Sequence, residues 1–338
     1  MARTAQPLVD PFGRRVTDLR ISITDRCNFR CTYCMPEEGM TWLGREQLLT
    51  FEEQARIVRV CVERFGFRSV RITGGEPLVR AHLPRLVQML APLGIDIAMT
   101  TNGVKLPEMA HDLAAAGLRR INVSLDSLRR ETFLALTRRD DLDRVIVGID
   151  AALDAGLAPV KLNCVVIRGV NDDEVVDLAA FGRDKGVGLR FIEFMPLDAE
   201  GSWTREQVVP ATEILDRIHA VFPLDGHEIA GLRHVEPAAK FSYADGRGDV
   251  GVIPSVTAPF CDRCDRIRVT AEGKLRTCLF ALEEFDLREI LRQGDASPQT
   301  DDRLADAIEA AVATKWAGHR INQVNFVRPG KSMSQIGG

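Results

Sequence analysis

The chain of 338 residues predicts an α/β fold: a partial (β/α)6 barrel of TIM type, with a C-terminal α+β extension covering its open side. Three observations point there. Six short β-like runs alternate with amphipathic helical stretches, most of the runs carry polar residues at every second position, and the rhythm changes near Arg233. Strands alternating with helices imply right-handed βα units and a parallel sheet. Six units are too few to close an eight-stranded barrel.

The runs are LRISIT (19–24), SVRIT (69–73), IDIAMT (95–100), RINVSLD (120–126), PVKLNCVV (159–166) and LRFIEFM (189–195). Between them lie helical patterns such as EEQARIVRVCVERFG and LPEMAHDLAAAGL, the second stopping at Gly117. Alternate residues of a strand share a face. One face thus collects Arg20, Ser22 and Thr24 in the first run, and Arg71 and Thr73 in the second. It collects Asn122, Ser124 and Asp126 in the fourth, and Lys161 and Asn163 in the fifth. A doubly wound open sheet, covered by helices on both sides, would be apolar on both faces. A polar inner face favours a barrel whose interior is a binding site. Beyond Arg233, FSYADGRGDVGVIPSV and RIRVTAEGKLRTCL read as short strands, the latter a hairpin about EGK. Two helical patterns follow, and the chain ends SMSQIGG. The expected division is 1–232 for the barrel and 233–338 for the extension.

Hydrophobic content of 45% and charged content of 27% are those of a globular protein that buries a core. A net charge of −4 argues against a generic binder of nucleic acid or membrane surfaces. The N-terminal stretch lacks a secretory h-region, and no run reaches the roughly 18 apolar residues of a span. A cytoplasmic location is expected, and in a reducing compartment clustered cysteines are more often metal or redox groups than disulfides.

Eight cysteines are present. Cys27, Cys31 and Cys34, spaced CxxxCxxC, follow the first run, at the barrel end where active sites lie. Structural zinc normally takes four ligands, and no histidine stands nearby. Three thiolates can hold three irons of a [4Fe–4S] cluster and leave the fourth iron open to an exogenous ligand; zinc is the alternative. Cys261, Cys264 and Cys278 form a second trio. It reads either as a second [4Fe–4S] cluster with its own open iron or as a zinc ribbon completed by His319 or His234. Cys61, in an amphipathic helix, and Cys164, facing away from the polar interior, read as buried structural thiols.

CxxxCxxC with an aromatic, Tyr33, before the last thiol, and GGEP (74–77) after the second strand resemble the radical S-adenosylmethionine (SAM) family. That resemblance implies that the open iron chelates the methionine part of SAM. An electron from the cluster then releases a 5′-deoxyadenosyl radical, which abstracts hydrogen from the substrate. A closer resemblance is to the GTP 3′,8-cyclase family of molybdenum cofactor biosynthesis. It covers the chain from about Phe12 onward and rests on LRISITDRCNFRCTYCMP, RITGGEPLVR, TTNG, INVSLDS, RFIEFMP, FCDRCDRIRVTAEGKLRTCLF and the terminal IGG.

This closer resemblance implies two [4Fe–4S] clusters, on the two cysteine trios, and SAM contacts from Tyr33, Gly75, Ser124 and Met195. It implies GTP contacts from Arg20, Arg71, Thr100, Lys161, Arg266 and Arg268, with guanine on the open iron of the second cluster. Hydrogen is taken from C3′ of the ribose, and C3′ then joins C8 of guanine, giving (8S)-3′,8-cyclo-7,8-dihydroguanosine 5′-triphosphate. Arg20, Arg266, Arg268, Gly337 and Gly338 are implied in catalysis, the last two as a tail entering the active site. Implied partners are an electron donor of flavodoxin or ferredoxin type and a downstream cyclic pyranopterin monophosphate synthase, and a homodimer is expected.

The residues support this separately. A triphosphate carries about four negative charges, which several cations must offset. Arg20, Arg71, Lys161, Arg266 and Arg268 have matched strand parity, and there is no GxxxxGK[ST] loop to share the task. One departure stands out: Ser69 occupies a position where the family leads us to expect lysine, and Arg68 or Arg190 is the expected substitute. A radical SAM enzyme acting on a peptide or other substrate is the second reading, and a zinc-stabilised binding module without catalysis the third.

Overall fold

A computed structural model describes residues 6–226 and 238–337. The expected boundary at 232/233, His234 and Gly338 lie outside the described residues. Six βα units follow the expected order. The strands are β1 (Asp18–Ser22), β2 (Ser69–Thr73), β3 (Asp96–Thr101), β4 (Arg120–Ser124), β5 (Val160–Val166) and β6 (Gly188–Glu193). The intervening helices include α1 (Phe51–Phe65), α2 (Leu83–Leu90), α3 (Leu106–Ala116), α4 (Arg130–Thr137), α5 (Leu142–Asp154) and α6 (Val175–Lys185). α7 (Ala211–His219) follows β6. Local chemistry sets the helix ends. Thr50 and Glu53 form a reciprocal capping box at the start of α1, and Gly66 closes it in the left-handed conformation. Gly117 stops α3 at φ +111°, as its sequence predicts.

β1 to β6 pair side by side, all parallel. Their apolar positions, among them Leu19, Ile21, Val70, Ile72, Val123, Leu162 and Phe191, are buried in one continuous core. Cys61 and Cys164 belong to that core. Three runs stop short of expectation, the sixth ending at Glu193 rather than 195. β1 ends at Ser22 and β4 at Ser124 because the next backbone groups pair elsewhere. Thr24 and Arg26 give their carbonyls to the amides of Gly75 (2.7 Å) and Glu76 (2.8 Å), and the Asp126 carbonyl accepts from Asn171 Nδ2 (2.8 Å).

The extension supplies β7 (Ala239–Ser242), β8 (Asp249–Ile253), β9 (Arg266–Val269), β10 (Lys274–Arg276) and β11 (Phe285–Asp286). It also supplies α8 (Leu287–Gln293), α9 (Pro298–Val312) and α10 (Met333–Ile336). Its strands continue the barrel sheet at both edges. β9 pairs parallel with β1 and β8 parallel with β6, giving eleven strands in the order β11-β10-β9-β1-β2-β3-β4-β5-β6-β8-β7. An open barrel leaves a row of unpaired backbone groups at each edge, and the extension satisfies both. The expected hairpin is β9–β10, turning at Gly273 with φ +84°. Among the described residues no helix is long and apolar enough to cross a membrane.

Register decides what faces the interior. Arg20 lies opposite Arg71 on one side and Arg268 on the other, while Asn122 lies between Thr100 and Lys161. Partners in register point the same way, so three neighbouring strands aim three arginines at one space.

Candidate active site

That space is a cavity of about 730 Å³. Cys27, Cys31 and Cys34 line it, as do Tyr33, Gly75, Ser124 and Met195. So do Arg20, Arg71, Thr100, Lys161, Arg266 and Arg268, together with Cys264. Residues spread over most of the chain are thus gathered in one chamber. Ser69, Arg68 and Arg190 share its wall.

The first trio sits on the loop after β1. Amides of Arg30 and Thr32 donate to the carbonyls of Thr137 (3.0 Å) and Leu136 (2.9 Å), and the Phe29 ring meets Phe133 edge-on at 5.9 Å. The loop is therefore fastened to α4. Across from it the glycine pair makes backbone approach backbone: a Cβ at Gly75 would stand 2.5 Å from the carbonyl oxygens of both Asp25 and Arg26. Tyr33 donates its hydroxyl to Asp126 Oδ2 at 2.5 Å. Burial pushes the Asp126 carboxyl up to about 6. Glu76, equally buried, accepts from the amides of Leu78 (2.9 Å) and Asn102 (2.6 Å) and from Thr101 Oγ1 (2.7 Å). Burial pushes it up to about 7.

All eight cysteines are free thiols. Burial raises Cys27 and Cys34 to about 12 and also raises Cys31, with the neighbouring thiols adding to the effect on Cys31. Burial likewise raises Cys261 to about 11, as well as Cys278, and both respond to the charge of Cys264. A thiol in this setting becomes a thiolate only when a cation takes its proton's place, which is how metal ligands behave. Among the described residues no three His, Cys, Asp or Glu side chains converge on a single ion. A four-iron cluster asks less of its ligands, because each thiolate meets a different iron. Soft thiolate donors in threes, without a histidine among them, fit iron–sulfur ligation. His319, the alternative zinc ligand, instead packs its ring on Phe280, with centroids 5.3 Å apart.

The cations are crowded. Burial and then Arg266, Arg71 and Arg268 hold Arg20 well below the usual guanidinium range, and burial lowers Arg71 and Arg268 to about 10. Arg20 Nε, both Arg71 Nε and Nη1, and Asn163 Oδ1 are buried without a hydrogen-bond partner. Buried polar groups are ordinarily satisfied. Three of these atoms are guanidinium donors, which suit an anionic partner, whereas Asn163 Oδ1 can only accept and suits a donor.

The C-terminal tail enters the chamber. Met333 and Ser334 of α10 line it, and Ser334 partly offsets the rise that burial imposes on the Cys34 thiol. Arg268 donates to the Gly337 carbonyl. Sequence reasoning did not find Ser334, Asn102 or Lys315. Asn102 Nδ2 lies 4.0 Å from Cys27 Sγ, and Lys315 Nζ lies 3.8 Å from Cys264 Sγ. Asn102 had a local signal in the TTNG turn after β3, and Ser334 a fainter one in the Ser332–Gln335 capping box around it.

The family model for the Radical SAM superfamily matches residues 21–182, and that for Molybdenum Cofactor Synthesis C matches 187–321. The chain is 48% identical to the GTP 3′,8-cyclase of Paenarthrobacter nicotinovorans, over 98% of this chain and 97% of the relative. It is 48% identical to that of Streptomyces coelicolor, over 99% and 97%, and 48% identical to GTP 3′,8-cyclase 2 of Mycobacterium tuberculosis, over 99% and 93%. Among solved structures, Streptococcus suis SuiB bound to its precursor peptide SuiA aligns at a TM-score of 0.61. That alignment covers 97% of this chain and 75% of SuiB at 15% identity, a likeness of fold alone. With near-full-length identity of this order to named cyclases, the chain belongs to the GTP 3′,8-cyclase family of radical SAM proteins.

Proposed function

We propose that this chain is a GTP 3′,8-cyclase that joins C3′ of the ribose to C8 of guanine within the cation-lined chamber, the first step of molybdenum cofactor biosynthesis. The observation that carries this reading is the joining of the first thiol trio, Cys264 of the second, and unpaired arginine donors in one cavity. Cys27, Cys31 and Cys34 would hold one [4Fe–4S] cluster, and Cys261, Cys264 and Cys278 a second. Bound there, the first cluster and SAM supply the organic radical that takes hydrogen from C3′.

The residues of the chain supply the rest. Tyr33, Gly75, Ser124 and Met195 seat SAM beside the first trio, and Gly75 lets its turn close onto the loop that carries the trio. Arg20, Arg71, Lys161, Arg266 and Arg268, with Thr100, receive the nucleotide. The triphosphate offsets the charges that these cations impose on one another. Cys264 places the second trio at the chamber wall, where it meets the guanine end. Arg268, tied to Gly337, holds its guanidinium toward the substrate, and α10 closes the chamber against water, which would otherwise quench a carbon radical. We divide the chain into a barrel, 1–232, and an extension, 233–338. We place it in the cytoplasm as a homodimer, served by a flavodoxin- or ferredoxin-type donor and followed by a cyclic pyranopterin monophosphate synthase.

The test is anaerobic incubation of iron-reconstituted protein with SAM, reductant and GTP, read by mass spectrometry. A nucleotide with the mass of GTP, cyclised between C3′ and C8, together with 5′-deoxyadenosine, is expected. Release of 5′-deoxyadenosine with no change in GTP would transfer the reading to a different substrate.

A further inference from the structure

The second cysteine trio has a cation of its own that lies outside the chamber lining. Lys315 follows α9 and is only 3% exposed. Its Nζ donates to the carbonyls of Arg266 (2.7 Å) and Thr277 (2.5 Å), and the third contact is Cys264 Sγ at 3.8 Å. Two neutral carbonyls thus fix the ammonium's direction, and the thiol takes its remaining N–H. No carboxylate among the described residues pairs with it. A buried ammonium needs an opposite charge, and the groups in reach that can carry one are thiols: Cys278 also responds to Lys315.

The residues after Lys315 are clamped against the same trio. Arg14 donates to the carbonyls of Trp316 (2.5 Å) and Ala317 (2.6 Å) and to that of Cys261. Gly318 lies so close that a Cβ there would stand 2.9 Å from the Cβ of Cys261. Nothing in this arrangement lets the ammonium swing out to solvent.

We propose that Lys315 is a positioning residue that supplies the fixed positive charge of the second [4Fe–4S] cluster, orienting Cys264 and raising the cluster's reduction potential. The proposal rests on the two-cluster reading given above. Reduction adds one negative charge to a cluster, and a cation held at a ligand sulfur favours the reduced form.

The test uses a full-length parent in which Cys27, Cys31 and Cys34 are alanine, so that iron reports the second trio alone. Lys315→Gln and Lys315→Arg are made in it, and each protein is assayed for iron and titrated anaerobically by EPR. The parent is expected to hold roughly four irons. Lys315→Gln should lower the reduced-to-oxidised ratio at fixed potential at least tenfold, which is 59 mV for a one-electron couple, and Lys315→Arg should restore most of it. A glutamine variant with full iron and the parental midpoint overturns the proposal. Iron retained by the arginine variant but lost by the glutamine variant supports it, because charge then decides whether the cluster is held. Loss from both variants overturns it in favour of shape. An iron-free parent instead sinks the two-cluster reading itself.

Discussion

The guanidinium of Arg268 donates to the backbone carbonyl of Gly337, joining two positions 69 residues apart. Gly337 adopts φ +80°, and a Cβ there would lie 2.6 Å from Thr73 Oγ1 and 3.0 Å from Ser22 Cβ. Both the backbone conformation and the space exclude a side chain. Gly337→Val should therefore expel the tail and release Arg268. Iron content and 5′-deoxyadenosine formation should stay near wild type, while the cyclised nucleotide falls at least a hundredfold. Deletion of 337–338 should do the same. A variant that still cyclises GTP at the wild-type rate would leave the tail without a role.

Gly75 predicts a different failure. An added methyl would meet two carbonyl oxygens at 2.5 Å, and neither belongs to a flexible side chain. The strand-end loop carrying the first trio would have to move. Gly75→Ala should lose SAM cleavage, and with it cyclisation, while the second trio keeps its iron. Iron analysis beside a 5′-deoxyadenosine assay separates this outcome from general unfolding, which would empty both trios.

The barrel was legible because alternation is a local signal. All six strands lie within two residues of their expected ends, and the polar parity of Arg20, Arg71, Asn122 and Lys161 is the lining of the chamber. The overruns at 23–24 and 125–126 have a physical source: β-forming residues there spend their backbone groups on loops from other units. The pairing of β9 with β1 was not legible, since Asp18 and Arg266 are far apart in sequence and no residue pattern encodes which edge a strand will join. Lys315 was hidden for the same reason. In sequence it is one lysine after an amphipathic helix, and only the folded chain brings it to Cys264. The helix α10 was overlooked because four residues are too short for periodicity to show; its Ser332–Gln335 capping box was the available clue.

Two carboxyls give the protein a pH dependence of known sign. Burial raises Asp126 to about 6 and Glu76 to about 7. Between the ordinary carboxyl range and these values the folded chain keeps protons that the unfolded chain has released. Stability then falls as pH rises from about 4 to about 7 and levels off above, by up to ~3 kcal/mol for each group. Asp126→Asn removes one of them while leaving an oxygen to accept from Val165 or Tyr33. Urea unfolding of iron-free protein at about pH 5 and pH 7.5 should show a smaller loss in the variant. Equal losses in the two proteins would mean that Asp126 is ionised in the fold across this range.

Arg71 is expected to trade stability for binding. Its Nε and Nη1 are buried without partners; burial disfavours its charge most, Arg190, Arg266 and Arg120 add to that, and Asp18 opposes them. In the ligand-free protein such donors are a cost, because they have left water and gained no hydrogen bond in exchange. Arg71→Met keeps the apolar stem and removes the charge, so the ligand-free protein should become more stable by about 1–2 kcal/mol. GTP reverses the sign: phosphate oxygens satisfy the donors, and their loss should weaken binding by about 1.5–3 kcal/mol. Lys161→Ala, on the facing wall, should weaken binding by a similar amount. Guanosine, which has no phosphate, should be nearly indifferent to either change. Thermal melts of the ligand-free proteins and calorimetric titrations with GTP and guanosine measure both sides. If GTP and guanosine lose affinity equally, these cations do not meet the triphosphate; if Arg71→Met also destabilises the ligand-free protein, its charge is paired within the fold and the chamber is not held open for an anion.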